Sequence, residues 1–296
     1  MLRPTKLAAA ITTAAVALVG PALVAGPVAQ AATPDKPHGR TVTVDMTNKG
    51  FTLPREVRAG FVTFEVSTKD ANGHDLQGVR LHKGVTQAQL IADIRLAVSP
   101  DPKTAAKGIR QVQRDATLVG GAAVEPSTVV DDTIPLCAGT YWFFDFGQFF
   151  VPNAPPPVFH RLDVKGPFRD WLPKVDGEID QVDTKAGPRF VSPDKLMDGG
   201  TYLVRNKAPE IHELMFQRVK PGTTNRDLTV FLTTGKGQNP FAEAVSRGLA
   251  AQSPGRFQLL SFHPKKGSYA LLCFIPDDKS GIPHAFLGMH KVVKLT

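Results

Sequence analysis

The 296-residue sequence has little of what several protein classes require. Its only two cysteines, Cys137 and Cys273, permit at most one disulfide. No basic stripe or tail accompanies the net charge of +8, because 35 Lys and Arg are scattered among 27 Asp and Glu. This pattern argues against nucleic-acid binding, which needs cations clustered on one face. Gly and Pro, with 26 and 25 residues, interrupt the chain at short intervals, so long helices are not expected.

The one long apolar run stands at the N-terminus. Arg3 and Lys6 precede an uncharged, Ala- and Val-rich segment at 7–28, which leads to an A-x-A pattern that ends at Ala31. We interpret residues 1–32 as a secretory signal peptide that is cleaved near Ala31. The alternative is a membrane anchor, but Gly and Pro break the run. The mature protein is therefore expected to be secreted and to have no membrane span.

The rest of the chain contains an internal repeat. The matched blocks are FTLPREVRAG with FVSPDKLMDG, GHDLQGVRLHKGVTQAQL with IHELMFQRVKPGTTNRDL, and GTYWFFDF with GSYALLCF. The blocks follow the same order in both copies, and none needs a gap. The alignment pairs His74 with His212 and Asp145 with Cys273, so the two copies differ at one chemically important position.

Short alternating strands separated by turn residues make up most of each copy, which predicts an all-β protein. Thr86 and Thr224 each precede a segment with helical spacing of apolar residues, and each is a suitable N-cap. We therefore predict two tandem β-sandwiches with one short helix each, at residues 40–165 and 188–296. Residues 166–187, rich in turn formers, are predicted to be the linker.

The second copy carries a set of metal donors. Cys273, His284 and Met289 lie within the stretch CFIPDDKSGIPHAFLGM, and His212 lies upstream in the chain. A copper ion that alternates between Cu(I) and Cu(II) is well served by one thiolate, two imidazoles and a weak thioether. A Cys at the end of a strand, followed by a loop with His and Met, places three donors at one end of a sandwich. A neighbouring strand would bring His212 to the same end.

This donor pattern resembles that of the cupredoxins, the family of plastocyanin and azurin, over most of residues 188–296. The resemblance implies Greek-key sandwiches with one type 1 copper per chain. It also implies that the ligands are His212, Cys273, His284 and Met289. The ten residues between Cys273 and His284 are more than the small electron carriers have, and this length is nearer to that of copper nitrite reductases.

A disulfide between Cys137 and Cys273 is the alternative to a copper thiolate, and export would permit it. The repeat argues against that pairing. Cys137 precedes its strand in the first copy, whereas Cys273 ends the corresponding strand in the second copy.

The first copy lacks most of the donor set. It keeps His74, but Asp145 stands where the second copy has Cys273, and the segment QFFVPNAPPPVF contains neither His nor Met. We therefore interpret residues 40–165 as a degenerate cupredoxin-like domain without copper. A hard-metal site built from His74 and Asp145 is the alternative.

The motifs of the copper enzymes in this family are missing. None of the eight histidines forms the His-x-His pair that holds a trinuclear copper cluster. Leu272 stands directly before Cys273, where nitrite reductases have a His that leads to a catalytic copper. We therefore expect a one-electron carrier and not an enzyme, and we assign no catalytic residue.

In this family, electrons enter through the imidazole edge of the loop histidine, at an apolar patch. The residues that flank His284 are Ile282, Pro283, Ala285, Phe286 and Leu287. A transient redox protein partner is thus expected to dock near His284. Two other functions stay open. Copper could be stored or delivered without redox cycling, or the first copy could bind a partner in the cell envelope.

Overall fold

The computed structural model describes residues 40–296, so the predicted signal peptide at residues 1–32 lies outside the described residues. The strands are β1 Arg40–Met46, β2 Glu56–Arg58, β3 Gly60–Thr68, β4 His74–Leu81, β5 Ala116–Val124, β6 Val130–Leu136, β7 Gly139–Asp145, β8 His160–Lys165, β9 Gly177–Thr184, β10 Gly187–Val191, β11 Lys195–Leu196, β12 Thr201–Asn206, β13 His212–Val219, β14 Phe241–Gln252, β15 Phe257–Phe262, β16 Gly267–Leu272 and β17 His290–Leu295. The helices are α1 Gln87–Ala97, α2 Pro102–Asp115 and α3 Asn225–Thr234, with 3-10 turns at Phe146–Phe150 and His284–Leu287.

The strands form two sheets, and each sheet runs through both copies. The seven-stranded sheet has the order β1-β3-β6-β15-β12-β9-β10, and the ten-stranded sheet has the order β11-β17-β16-β13-β14-β5-β4-β7-β8-β2. The copies meet where β6 pairs with β15 and where β5 pairs with β14, both antiparallel. Equivalent strands follow in mirrored order on the two sides of each junction. The predicted all-β fold with two sandwiches is confirmed, but the sandwiches share their sheets.

The core lies between the two sheets, because one face of each strand is apolar. In β3, Val62, Phe64 and Val66 are fully buried and the residues between them are less so. Phe64 packs against Phe143 of β7 in the facing sheet, with ring centroids 4.7 Å apart. This alternation is the period-2 pattern of a half-buried strand.

Two of the three helices begin where the sequence indicates. The Thr86 side chain accepts a hydrogen bond from the amide of Gln89, and Thr224 forms a capping box with Asp227. The helix α2 is a difference from the prediction of one helix per copy. It starts with Asp101 as N-cap and Pro102 in its first turn, a local signal that has no counterpart in the second copy. Of the helices within residues 40–296, none has the length and hydrophobicity needed to cross a bilayer.

Part of the predicted linker at 166–187 is a strand. Gly177–Thr184 forms β9, which pairs in parallel with β12 and antiparallel with β10. Ile179 and Gln181 of β9 are fully buried, and Gln181 Nε2 donates to the carbonyl of Glu213 over 2.9 Å. Because acidic residues are frequent in GEIDQVDT, the short alternation of buried and exposed positions in β9 is not recognisable from the sequence. The division of the chain into domains at 40–165 and 188–296 stays a prediction.

Candidate metal centre

Neighbouring strands bring His212 and Cys273 to the same end of the ten-stranded sheet. β13 begins at His212, and Cys273 directly follows the end of β16. The two strands run antiparallel with Met215 opposite Leu272, so the start of one lies beside the end of the other. The sequence predicted this arrangement from the positions of the two residues relative to their strands.

Three donor side chains form one buried cluster. Cys273 Sγ lies 3.6 Å from His212 Nδ1 and 3.5 Å from His284 Nδ1. One donor atom from each of the three residues lies within 4.8 Å of the other two. His212, Cys273 and His284 are 1%, 0% and 1% exposed, so water has almost no access to the cluster.

The segment from 274 to 289, which we call the metal loop, folds back to bring His284 to the sulfur. The amide of His284 donates to the carbonyl of Ile275 over 3.0 Å, and that of Ala285 donates to the carbonyl of Cys273 over 2.7 Å. His284 thus begins a 3-10 turn directly above Cys273. Met289 is fully buried in the apolar cluster that contains Cys273, and its role as a ligand stays a prediction.

Burial disfavours the charged forms of His212 and Cys273. It raises the pKa of the Cys273 thiol well above its ordinary value. Burial, and then the charge of His284, lowers the pKa of His212 to about 3, so the His212 ring is neutral and has a lone pair to offer. The amide of Glu213 donates to Cys273 Sγ over 3.5 Å, a contact that favours negative charge on the sulfur. A bound cation reverses the preference of a buried thiol and makes it a thiolate.

The cluster fits a metal ion, and its donors select the kind. Bonds of about 2.0 Å to nitrogen and 2.3 Å to sulfur, as in tetrahedral zinc sites, leave neighbouring donors roughly 3.5 Å apart. The two nitrogen-to-sulfur distances of 3.6 and 3.5 Å match this spacing. A thiolate with two imidazoles suits copper and excludes hard ions such as Mg²⁺ and Ca²⁺. One copper ion therefore fits this site as a cofactor.

The two-sheet sandwich, the histidine at the start of β13, the cysteine at the end of β16 and the histidine in the loop after it together decide the fold. The fold is cupredoxin-like. No protein-family model and no characterised protein matches the sequence.

Solved structures with similarity to this chain include copper proteins. Reduced auracyanin from the photosynthetic bacterium Roseiflexus castenholzii is 17% identical over 40% of this chain and 94% of its own, with a TM-score of 0.25. A multicopper oxidase is 12% identical over 86% of this chain and 88% of its own, with a TM-score of 0.24. The copper nitrite reductase of Nitrosomonas europaea is 14% identical over 86% of this chain and 93% of its own, with a TM-score of 0.25.

The expectation that this protein is not an enzyme is wrong. A multicopper oxidase and a copper nitrite reductase, both enzymes, are among the structures that match across both copies. The described residues also contain a buried His-Cys-His cluster that fits copper.

A carboxylate that the sequence analysis missed lies next to the loop histidine. Glu210 Oε2 is 3.2 Å from His284 Nε2 and accepts a hydrogen bond from the amide of Asp278 over 3.0 Å. Burial alone would raise the pKa of Glu210, but these hydrogen bonds hold it below its ordinary value. Since Glu210 and His284 are 74 residues apart, no local pattern connects them.

The ring of His284 is buried. It is 1% exposed, whereas Ile282 and Phe286 beside it are 38% and 39% exposed. Ala285 is fully buried below the loop. Some of the flanking residues thus form an apolar surface, and the imidazole itself is shielded from water. Partner docking near His284 stays a prediction.

The disulfide alternative does not hold in the structure. Both cysteines are free; Cys137 is exposed and Cys273 is buried.

The first copy has no free imidazole nitrogen at the corresponding place. His74 Nδ1 lies 2.7 Å from Asp145 Oδ2, and His74 Nε2 lies 3.1 Å from Asp70 Oδ2. Both ring nitrogens therefore have carboxylate partners. The interpretation of residues 40–165 as a domain without copper stays a prediction.

The first copy nevertheless contributes to the metal centre, through the unpredicted helix α2. Arg110 donates to the carbonyl of Asp278 in the metal loop, and Gln113 Nε2 lies 3.4 Å from Asp278 Oδ2. Gly281 packs so closely on α2 that a Cβ there would lie 1.8 Å from the carbonyl oxygen of Pro102. The helix thus supports the loop that carries His284.

Proposed function

We propose that the protein is an exported type 1 copper protein that transfers single electrons. The observation that carries this proposal is the buried cluster of His212, Cys273 and His284, in which both Nδ1 atoms face the sulfur. Copper held by one thiolate and two imidazoles changes between Cu(I) and Cu(II) with little rearrangement of its ligands. Export follows from the predicted signal peptide at residues 1–32.

Each ligand has a separate role in the proposal. His212 and His284 would hold copper through Nδ1, Cys273 would hold it as a thiolate, and Met289 would supply a weak thioether donor. The β13 backbone fixes His212, and the Glu213 amide stabilises charge on the sulfur. Because His284 is held by Glu210 on its far side, the donors keep their positions when the charge of the site changes.

We place the docking surface for a redox partner above His284. Phe274, Ile282 and Phe286 are each between 38% and 39% exposed, and the rings of Phe274 and Phe286 lie 6.4 Å apart. A small apolar surface suits a short-lived complex, which rapid electron transfer requires. Burial of all three donors also favours electron transfer over copper delivery, since delivery needs ligand exchange with an acceptor.

Titration of the purified protein with Cu(II), followed by visible absorption and voltammetry, tests the proposal. We expect one copper per chain, an intense thiolate-to-copper band and a reversible potential. The Cys273→Ser variant should lose the band, while the Cys137→Ser variant, which removes the exposed cysteine, should keep it. Copper bound without a reversible potential would support storage or delivery instead. The absence of both band and copper would refute the ligand assignment.

A further inference from the structure

A second feature of the molecule is a cavity of about 600 Å³ on the outer face of the ten-stranded sheet. Its floor comes from strands of both copies, and its walls come from α1 and α2 on one side and the metal loop on the other. Leu90, Ile94 and Ile109 of the wall belong to an apolar cluster separate from the sandwich core. The cavity is therefore not a defect of the core, since it lies between elements that pack on the outside of the sheet.

The rim of the cavity is apolar and open to solvent. Phe150, Phe274, Ile282 and Phe286 line it and are 62%, 39%, 38% and 39% exposed. Five phenylalanines line the cavity in all, namely Phe144, Phe146, Phe150, Phe274 and Phe286. A concave, aromatic site of this volume is typical of small-molecule binding.

Two carboxyl groups, those of Asp75 and Glu213, are the acidic side chains of the lining. Asp75 and Glu213 follow the equivalent histidines of the two copies, so each turns toward the outer face of the sheet. Among the described residues that line the cavity, none is Lys, Arg or His. Glu213 Oε1 accepts a hydrogen bond from the amide of Phe274 over 2.7 Å. The apolar surroundings, together with the charge of Asp145, raise the pKa of Asp75 to about 6.

We propose that this cavity binds a small aromatic molecule that carries a hydroxyl group. The rings of the lining accommodate the aromatic body, and Asp75 and Glu213 pair with the polar end. A hydroxyl both donates and accepts, so it pairs with the Asp75 carboxyl whether that group is ionised or protonated. A ligand with a carboxylate of its own meets two acids and no cation, and it is rejected.

The cavity lies next to the metal centre. Glu213 lines it with its side chain and donates to Cys273 Sγ with its amide, and Phe274 directly follows Cys273. A ligand in the cavity would therefore contact residues that adjoin the Cys273 sulfur. The inference itself rests on the cavity and not on the proposed redox function, and binding is measurable with or without copper.

Calorimetric titration with two probes of the same ring system tests the inference. We expect one molecule of 2-naphthol to bind per chain. Naphthalene-2-carboxylate should bind at least about tenfold more weakly, because its carboxylate loses the hydrogen bond of the hydroxyl and is repelled by the acidic groups. Asp75→Asn should narrow this difference, because it removes one of the two acidic groups that face the carboxylate of the probe. The control is Asp198→Asn, at a carboxylate remote from the cavity.

Two variants probe the location. Ile282→Trp fills the rim and should weaken 2-naphthol binding by more than about tenfold, whereas Ile282→Ala should leave it nearly unchanged. Val98→Trp narrows the opposite wall, away from the metal loop, and should also weaken 2-naphthol binding. This second variant guards against the case in which Ile282→Trp weakens binding only by disturbing the loop. Circular dichroism would check that each variant is folded.

Three results would overturn the inference. The first is that 2-naphthol gives no saturable heat. The second is that it binds equally well to both Trp variants when they are folded, which would place it elsewhere. The third is that both probes bind alike to the unmodified protein and to Asp75→Asn, which would show apolar adsorption without recognition of the hydroxyl.

Discussion

His74 and Asp145 pair in the first copy at the place where the second copy pairs His212 with Cys273. The His74 Nδ1 to Asp145 Oδ2 distance is 2.7 Å, and both side chains are 7% exposed. The hydrogen bond with Asp145 raises the pKa of His74 above its ordinary value, although burial acts against it, and Asp70 adds to the effect. An imidazole with a raised pKa, hydrogen-bonded to two carboxylates, thus occupies the position that corresponds to the metal centre.

This pair should make the stability of the fold depend on pH. A group with a raised pKa in the folded state stabilises most below its unfolded value, near 6.5 for His74, and loses this contribution as the pH rises through the folded value. We expect His74→Gln to lower the free energy of unfolding by about 1–3 kcal/mol at pH 5. The loss should be smaller at pH 9. Urea denaturation at both values of pH measures it.

The control for this prediction is His263→Gln, because the side chain of His263 is 80% exposed. It should change stability little at either pH. If His74→Gln lowers the free energy of unfolding equally at pH 5 and pH 9, the protonated His74 does not contribute to stability through its carboxylate partners.

Glu210 should tune the reduction potential through His284. Its carboxylate accepts from His284 Nε2 and makes the imidazole more electron-rich, which favours Cu(II). Glu210→Gln should therefore raise the potential by on the order of 60 mV, which corresponds to a tenfold change in the relative affinity for the two oxidation states. Voltammetry measures this shift. Glu178→Gln makes the same change of charge at an exposed position, and its potential should match that of the unmodified protein.

The Met289 thioether should also affect the reduction potential. Met289→Leu keeps the volume of this fully buried side chain but removes the sulfur. If the thioether is the axial donor, the variant should retain the intense thiolate band, since Cys273 is unchanged, and its potential should rise because Cu(II) loses a ligand. An unchanged potential would assign Met289 to the core alone.

Contact between Gly281 and α2 should contribute to the stability of the metal loop. Gly281 has φ +70 and lies against Pro102, whereas Gly255 has φ +73 and no neighbour where a Cβ would stand. An alanine at either position strains the backbone by about 1 kcal/mol. We expect Gly281→Ala to lower the free energy of unfolding by a further 1–3 kcal/mol, about the cost of overpacking. Equal losses in the two variants would show that the contact with α2 contributes nothing.

Local signals in the sequence account for much of this structure. The alternation in β3, the caps Thr86 and Thr224, and the repeat itself are short-range features, and each was found where it was predicted. The clustering of His212, Cys273 and His284 also followed from the sequence, because a residue at the end of a strand lies at the same edge as the start of its antiparallel neighbour.

Long-range contacts account for what the sequence did not reveal. Glu210 meets His284 across 74 residues, and Arg110 meets Asp278 across 168 residues. Neither pair has a spacing that a periodic pattern could show.

The sequence by itself determined most of the strands, the caps of α1 and α3 and the candidate metal donors, because these depend on residues close together in the chain or on the period of burial. Only the tertiary structure decided that the two copies share continuous sheets, that α2 supports the metal loop, and that the ring of His284 is covered. The physical reason is that strand pairing and docking are chosen by the fit of whole surfaces. Such surfaces form only after distant segments have come together.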